Sequence, residues 1–178
     1  MSLVLHPHNS VPRADWRVSG LIERSGPQLI WKMRVENPHA HAWHTHERFG
    51  SDLRKNWELW NFDVVEAFLQ PRRHADDRAA SYLEVQLSPK EQALALVIVE
   101  PRKICYVPYA LKFKSHVTLT PTLWESSVCL TLPSELQTGE LWGGLFACLG
   151  AGERGYYSLR PNPEEKPDYH RPELFQKL

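Results

Sequence analysis

Fourteen prolines are spread from Pro7 to Pro172, and each removes a backbone N–H and fixes a φ that the interior of an α-helix needs. Between them lie short segments in which apolar and polar residues alternate with a period of two, the pattern of a strand with one buried face. Leu29, Trp31, Met33 and Val35 alternate with Gln28, Lys32, Arg34 and Glu36. Trp16, Val18 and Ile22 do the same before Gly26-Pro27, which predicts an opening hairpin. Further strands are predicted over 62–69, 81–87, 93–99, 114–120, 123–132, 141–149 and 155–160. Leu83, Val85 and Leu87 face one way, and Tyr82, Glu84 and Gln86 the other. The run from Ala93 to Val99 is apolar on both faces, as a central strand would be. The expectation is an all-β, antiparallel β-sandwich with jelly-roll or immunoglobulin-like layers, forming a single domain over 1–178. Helix should stay below about 15% and be confined to 51–57 or 134–137. Residues 37–60 read as a polar, histidine-rich connection, and the tail after Pro161 as extended coil packed on the body.

A length of 178 residues suffices for one domain with a sizeable core. Lysine plus arginine equal aspartate plus glutamate, 21 against 21, so the chain lacks the basic footprint that nucleic acid or an anionic membrane would attract. No apolar run approaches the roughly 20 residues that span a bilayer. The segment Met1 to Pro7 has neither the basic start nor the apolar stretch of a secretory leader, so the cytoplasm is expected. Cys105, Cys129 and Cys148 are widely spaced and odd in number, and read as buried thiols in a reducing compartment.

Several motifs suggest chemistry and then fail a mechanistic requirement. Gly150-Ala151-Gly152-Glu153-Arg154-Gly155 matches G-x-G-x-x-G after an apolar strand. A dinucleotide site also needs a following helix to hold the pyrophosphate, whereas this loop runs into Tyr156-Tyr157-Ser158-Leu159-Arg160-Pro161. A hairpin turn is expected instead. His39, His41, His44 and His46 form H-x-H-x-x-H-x-H, a tract whose imidazoles could bind zinc, copper or nickel. Gly50 stands where a zincin's second histidine belongs, and no cysteine is near to complete a structural zinc site. A solvated loop is the simpler expectation, and no metal is assigned. There is no G-x-S-x-G elbow. Glu66 and Glu84 lie on predicted strands and could act as a carboxylate pair, or instead form a buried network that fixes the sheets.

Seven tryptophans and six tyrosines are present. Aromatic rings offer flat apolar faces to sugar C–H groups, but rings such as Trp16 and Trp31 are expected in the core. Trp60 and Trp142, flanked by polar residues or glycine, are the better binding candidates.

Four stretches together carry a resemblance. They are Leu59-Trp60-Asn61-Phe62-Asp63-Val64-Val65-Glu66-Ala67-Phe68-Leu69, Tyr82-Leu83-Glu84-Val85-Gln86-Leu87-Ser88-Pro89, Gly155-Tyr156-Tyr157-Ser158-Leu159-Arg160, and Pro167-Asp168-Tyr169-His170-Arg171 followed by Phe175. Over roughly residues 55–178 the chain resembles the DOMON-like proteins related to family-nine carbohydrate-binding modules. Many of these are small, stand-alone bacterial proteins of uncharacterised function. The resemblance implies a β-sandwich with a ligand site on one sheet or at its rim, taking sugars or haem, with structural calcium in secreted members. This chain is expected to differ from them in having no leader and no attached catalytic domain. Only Met1 and Met33 could ligate haem, and Asp76-Asp77 stands alone as an acidic pair. No cofactor is therefore expected.

Two readings remain open. The first is a non-catalytic module for a carbohydrate or similar polar small molecule. Trp60, Tyr157 and Trp142 would stack on the ligand, and Glu66, Glu84 and Arg102 would bond its polar groups. Arg102 would pair with one carboxylate, Tyr82 would share the strand face, and Asp168 with His170 would close the site from the tail. The second is a hydrolase or isomerase using Glu66, Glu84 or His170 as acid and base, with a haem or metal protein using the histidine tract as a weaker variant. Strongly shifted pKa values in a closed pocket would favour the enzyme, and an open aromatic groove would favour binding.

Overall fold

The alternating segments pair as antiparallel strands throughout a computed structural model that describes residues 3–8, 15–40, 42–50, 52–72, 81–108, 111–163 and 166–178. The strands are β1 (Leu3–Pro7), β2 (Arg17–Ser25), β3 (Gln28–Glu36), β4 (Val64–Arg72), β5 (Tyr82–Leu87), β6 (Ala93–Glu100), β7 (Ile104–Tyr106), β8 (Phe113–Leu119), β9 (Leu123–Thr131), β10 (Glu140–Leu149), β11 (Gly155–Ser158) and β12 (Gln176–Lys177). One sheet has the order β7-β6-β5-β4-β10-β11, and the other β2-β3-β9-β8. Strand β1 belongs to both, pairing through Leu3–Leu5 with β2 and through His6 and Pro7 with β11. The result is the expected antiparallel β-sandwich.

The predicted hairpin at Gly26-Pro27 forms, with Arg24 opposite Leu29 and Ser25 opposite Gln28. The glycine-rich segment is the turn between β10 and β11, with Gly150 and Gly152 at positive φ, where glycine carries no Cβ penalty. The only helical pieces among the described residues are 3₁₀ turns at Leu53–Lys55, Leu59–Asn61, Ser134–Leu136 and Pro172–Leu174. The second and fourth fall outside the two windows expected for helix. Strand β6 is buried on both faces but lies one place from the sheet's edge, not at its centre. The thiols also differ from expectation. Cys148 is buried, but Cys105 lies on the edge strand β7 and Cys129 faces outward on β9, and both are exposed.

Two cores result from the alternation. Between the sheets, Val18, Leu29, Trp31, Met33, Val35, Trp124, Val128 and Leu130 meet Val65, Ala67, Leu69, Leu83, Val85, Leu87, Ala95 and Leu145. The intervening residues of the first sheet point away from the sandwich. There Val64, Phe68, Tyr82, Leu94, Leu96, Ile98, Phe146 and Cys148 form a second cluster with Phe49, Leu59 and Phe175. This outer face is covered by Phe49, Leu59, Trp60 and Phe62 from the chain before β4 and by Tyr169 and Phe175 of the tail. Strand β12 pairs with β10 at Trp142 and Gly143, while β4 holds the other edge of β10. At Gly143 a Cβ would fall 1.8 Å from the Phe68 carbonyl oxygen, so the strands can approach only at a glycine.

The tail is thus a structural layer. Phe175 is 1% exposed and stands edge-on to Tyr82 with ring centroids 5.4 Å apart, and Arg72 donates to the Pro172 carbonyl. Truncation of a buried phenylalanine removes about 3–5 kcal/mol. We expect a loss of that size for Phe175→Ala in urea denaturation. A midpoint unchanged from that of the parent chain would mean the tail is not part of the folded body.

Candidate functional site

Strand alternation puts Val64, Glu66 and Phe68 of β4 on the outer face, with Tyr82, Glu84 and Gln86 of β5 beside them. Phe68 is paired with Glu84 and Glu66 with Gln86, so the two carboxylates are diagonal cross-strand neighbours. Each is 3% exposed. They form the floor of a cavity of about 720 Å³ whose walls include Trp57, Trp60, Leu96, Arg102, Arg154, Tyr156 and the tail residues Asp168, Tyr169 and His170.

The floor is short of hydrogen-bond donors. Gln86 Nε2 donates to Glu84 Oε1 at 2.5 Å, leaving Glu84 Oε2 and Gln86 Oε1 buried with no partner. Glu66 accepts no hydrogen bond among the described residues. Burial pushes the Glu84 carboxyl up to about 7, against the Gln86 hydrogen bond that favours its ionised form. Burial also holds Glu66 well above the usual carboxylate range, reinforced by Glu84 and opposed by Arg154.

The tail closes one side. Tyr82 Oη and His170 Nδ1 are 2.7 Å apart, and the imidazole lies over Phe68 with centroids 5.3 Å apart. Burial, aided by Arg102, lowers His170 to about 4. The ring is therefore neutral at pH 7, and its 3.9 Å approach to Glu84 Oε2 is a dipolar contact, not an ion pair. Asp168 accepts from the His170 backbone N–H at 3.1 Å and forms an ion pair with Arg102.

A half-buried cation beside the floor comes from the glycine-rich turn. Arg154 donates to the carbonyls of Trp60, Phe62 and Cys148, tying that turn to the segment before β4. Asp63 completes the clamp by accepting from the backbone N–H groups of His44 and Gly150.

The expected site is therefore brought together in part. Glu66, Glu84, Trp60, Asp168 and His170 line one cavity, and Tyr82 supports it from beneath His170. Arg102 stands at the rim, where it pairs with Asp168 and not with a glutamate, because its side chain is 63% exposed and Asp168 lies beside it. Tyr157 points into the core between the sheets, and its neighbour Tyr156 takes the cavity position, since adjacent strand residues face opposite ways. Trp142 lies outside the cavity beneath the Arg72 guanidinium, 4.7 Å from the ring centroid. Trp57, Arg154 and Tyr156 were not anticipated. Trp57 is the one with a visible signal, three residues before Trp60 in a turn.

The histidine tract diverges. His39 pairs with Asp15, His44 packs against Phe62, and His46 accepts from the Arg48 N–H. His41 and Asp76-Asp77 lie outside the described residues. Among the described residues no group of three His, Cys, Asp or Glu side chains is placed to hold a metal.

No family model matches the chain. A mouse protein named UPF0462 protein C4orf33 homolog is 33% identical over 126 residues, covering 67% of this chain and 62% of its own length. The rat homolog is 34% identical over 129 residues, covering 67% and 59%. Human UPF0462 protein C4orf33 is 32% identical over 126 residues, again covering 67% and 59%. The chain thus spans about three fifths of the length of the curated relatives it matches. These relatives are mammalian, which corrects the expectation of a bacterial protein. Among solved structures, a carbohydrate binding module family 9 protein from Caldicellulosiruptor kristjanssonii in complex with glucose is similar at a TM-score of 0.61. It is 14% identical, and the match covers 99% of this chain and 81% of that one. At that identity the likeness shows the shared β-sandwich fold.

The shifted groups make a pH-dependence prediction. Glu84 is raised from about 4.5 to about 7, so its stabilising contribution is complete below pH 4.5 and is lost as pH rises through 7. His170 acts oppositely, contributing above pH 6.5 and losing that contribution as pH falls through 4. Relative to the parent chain, Glu84→Gln should gain stability between pH 5 and pH 8 by roughly 2–3 kcal/mol, while keeping its acid-side loss. Denaturant melts across this range that stay parallel for the two proteins would show Glu84 titrating normally.

Proposed function

We propose that this chain is a non-catalytic module that binds a carbohydrate or similar hydroxylated small molecule on the outer face of its first sheet. The observation that carries the reading is the cavity of about 720 Å³, a size typical of small-molecule sites. Its chemistry suits the class. Trp57, Trp60 and Tyr156 offer aromatic surface for C–H faces. Glu84 Oε2 and Gln86 Oε1 offer buried acceptors without donors, which ligand hydroxyls would satisfy, and the Glu66 carboxyl lines the same floor. The fold likeness to a module solved with glucose supports the ligand class without assigning any residue. Neither haem nor calcium enters the proposal.

Calorimetric titration with glucose, beside a glycan array, tests it. Trp57 and Trp60 meet edge-on with centroids 5.1 Å apart, at an angle of 81°. Trp60→Ala should weaken sugar binding by about tenfold or more in a chain that stays folded, because the ring is only half-buried against the outer cluster. No binding of any sugar at millimolar concentration would sink the proposal.

One observation favours a second reading. Glu84, raised to about 7 beside His170, is the kind of shifted group expected of an acid–base enzyme. Proton NMR of a bound sugar over hours separates the two. An unchanged spectrum supports a binding module, and accumulating product supports catalysis.

A further inference from the structure

We propose that the ligand of this cavity carries an ammonium group, seated on the floor between Glu66, Glu84 and Gln86, so that an amino sugar or other hydroxylated amine is preferred to a neutral sugar. This inference rests on the binding function proposed above and narrows its ligand class.

Charge balance is the first argument. The cavity is lined by four carboxylates, Glu66, Glu84, Glu100 and Asp168, against three cations, Arg102, Lys103 and Arg154. The rim charges cancel in pairs. Arg102 is held by Asp168, and Lys103 by Glu100 at 2.5 Å. Arg154 is the one cation near the floor. Its terminal nitrogens donate to the Trp60, Phe62 and Cys148 carbonyls, its buried Nε has no partner, and no hydrogen bond joins it to either glutamate. Two floor carboxylates therefore face one cation that donates to neither. His170, neutral at pH 7, adds no positive charge. With both glutamates ionised the lining carries one net negative charge, which a ligand bearing one positive charge would bring to neutrality.

Hydrogen-bond valence is the second argument. Glu84 Oε2 and Gln86 Oε1 are buried and unpartnered, and Glu66 accepts nothing among the described residues. An ammonium has three N–H donors, whereas a hydroxyl has one. A single ammonium can thus serve all three acceptors. Seating the cation also answers the strain of the empty floor. Burial and mutual repulsion disfavour two ionised glutamates there, and an ammonium between them reverses both effects.

The test is a calorimetric comparison at pH 7 of glucosamine, galactosamine and glucamine with glucose, galactose and sorbitol. N-acetylglucosamine serves as an uncharged control. A charge-assisted seat should favour at least one amine over its neutral counterpart by about tenfold or more, and acetylation should abolish the advantage. In Glu66→Gln and Glu84→Gln that ratio should fall towards one. If either variant fails to fold, the other and the parent chain's ratio still decide. Neutral sugars binding as well as their amines would overturn this inference and leave the proposed function standing. A preference for amines that survives in both variants would place the seat elsewhere and also overturn it. Binding of neither class would remove both proposals.

Discussion

Burial of the first sheet on both faces is the constraint on which the rest of the structure depends. A sandwich needs one apolar face per sheet, but strands β4, β5, β6 and β10 carry apolar or large side chains on two. The second sheet covers one of these faces. The other is covered by irregular chain around Phe49, Leu59 and Phe62 and by the tail, which must find hydrogen bonds away from a ladder. Asn56 illustrates the solution, with Nδ2 donating to the Gly50 and Ala93 carbonyls. Such a cover does not close completely, and the cavity is the part of the outer face that it leaves open.

The same geometry explains how two glutamates are tolerated beneath that cover. A carboxylate buried without a partner is strongly disfavoured as an ion, and here both are shifted towards the neutral form. The surrounding charges are fixed by backbone contacts instead of by the glutamates. Arg154 is held by three carbonyls and Asp63 by two N–H groups, so the clamp that positions Trp60 and Phe62 uses no hydrogen bond from the cavity floor. Glu84 Oε2 and Gln86 Oε1 are left unserved at the floor, and so is the Arg154 Nε donor in the wall.

Much of the site was legible from periodicity. The face shared by Glu66 and Phe68, and that shared by Tyr82, Glu84 and Gln86, follow from the two-residue repeat, and their adjacency follows from the β4–β5 pairing. The same repeat decides between Tyr156 and Tyr157, but only once the register of β11 against β10 is known. Ala147 opposite Tyr157 sends that ring to the inner core. Arg102 and Arg154 show the limit differently. Both lie in turns, where no repeat fixes direction, and their partners are 66 residues along the chain for Arg102 and as many as 94 back for Arg154.

The sequence by itself determined the all-β class, most strand positions, the opening hairpin and the rejection of a nucleotide loop. These depend on local physics: proline and glycine geometry, and a side-chain repeat that a few residues suffice to display. Only the tertiary structure decided which outer face would be covered and which ring of a tyrosine pair would meet the cavity. It also decided which carboxylate would capture Arg102 and that Arg154 would be the cation beside the cavity floor. Those outcomes are set by contacts between segments distant in the chain, where burial and pairing are properties of the assembled layers and not of any one strand.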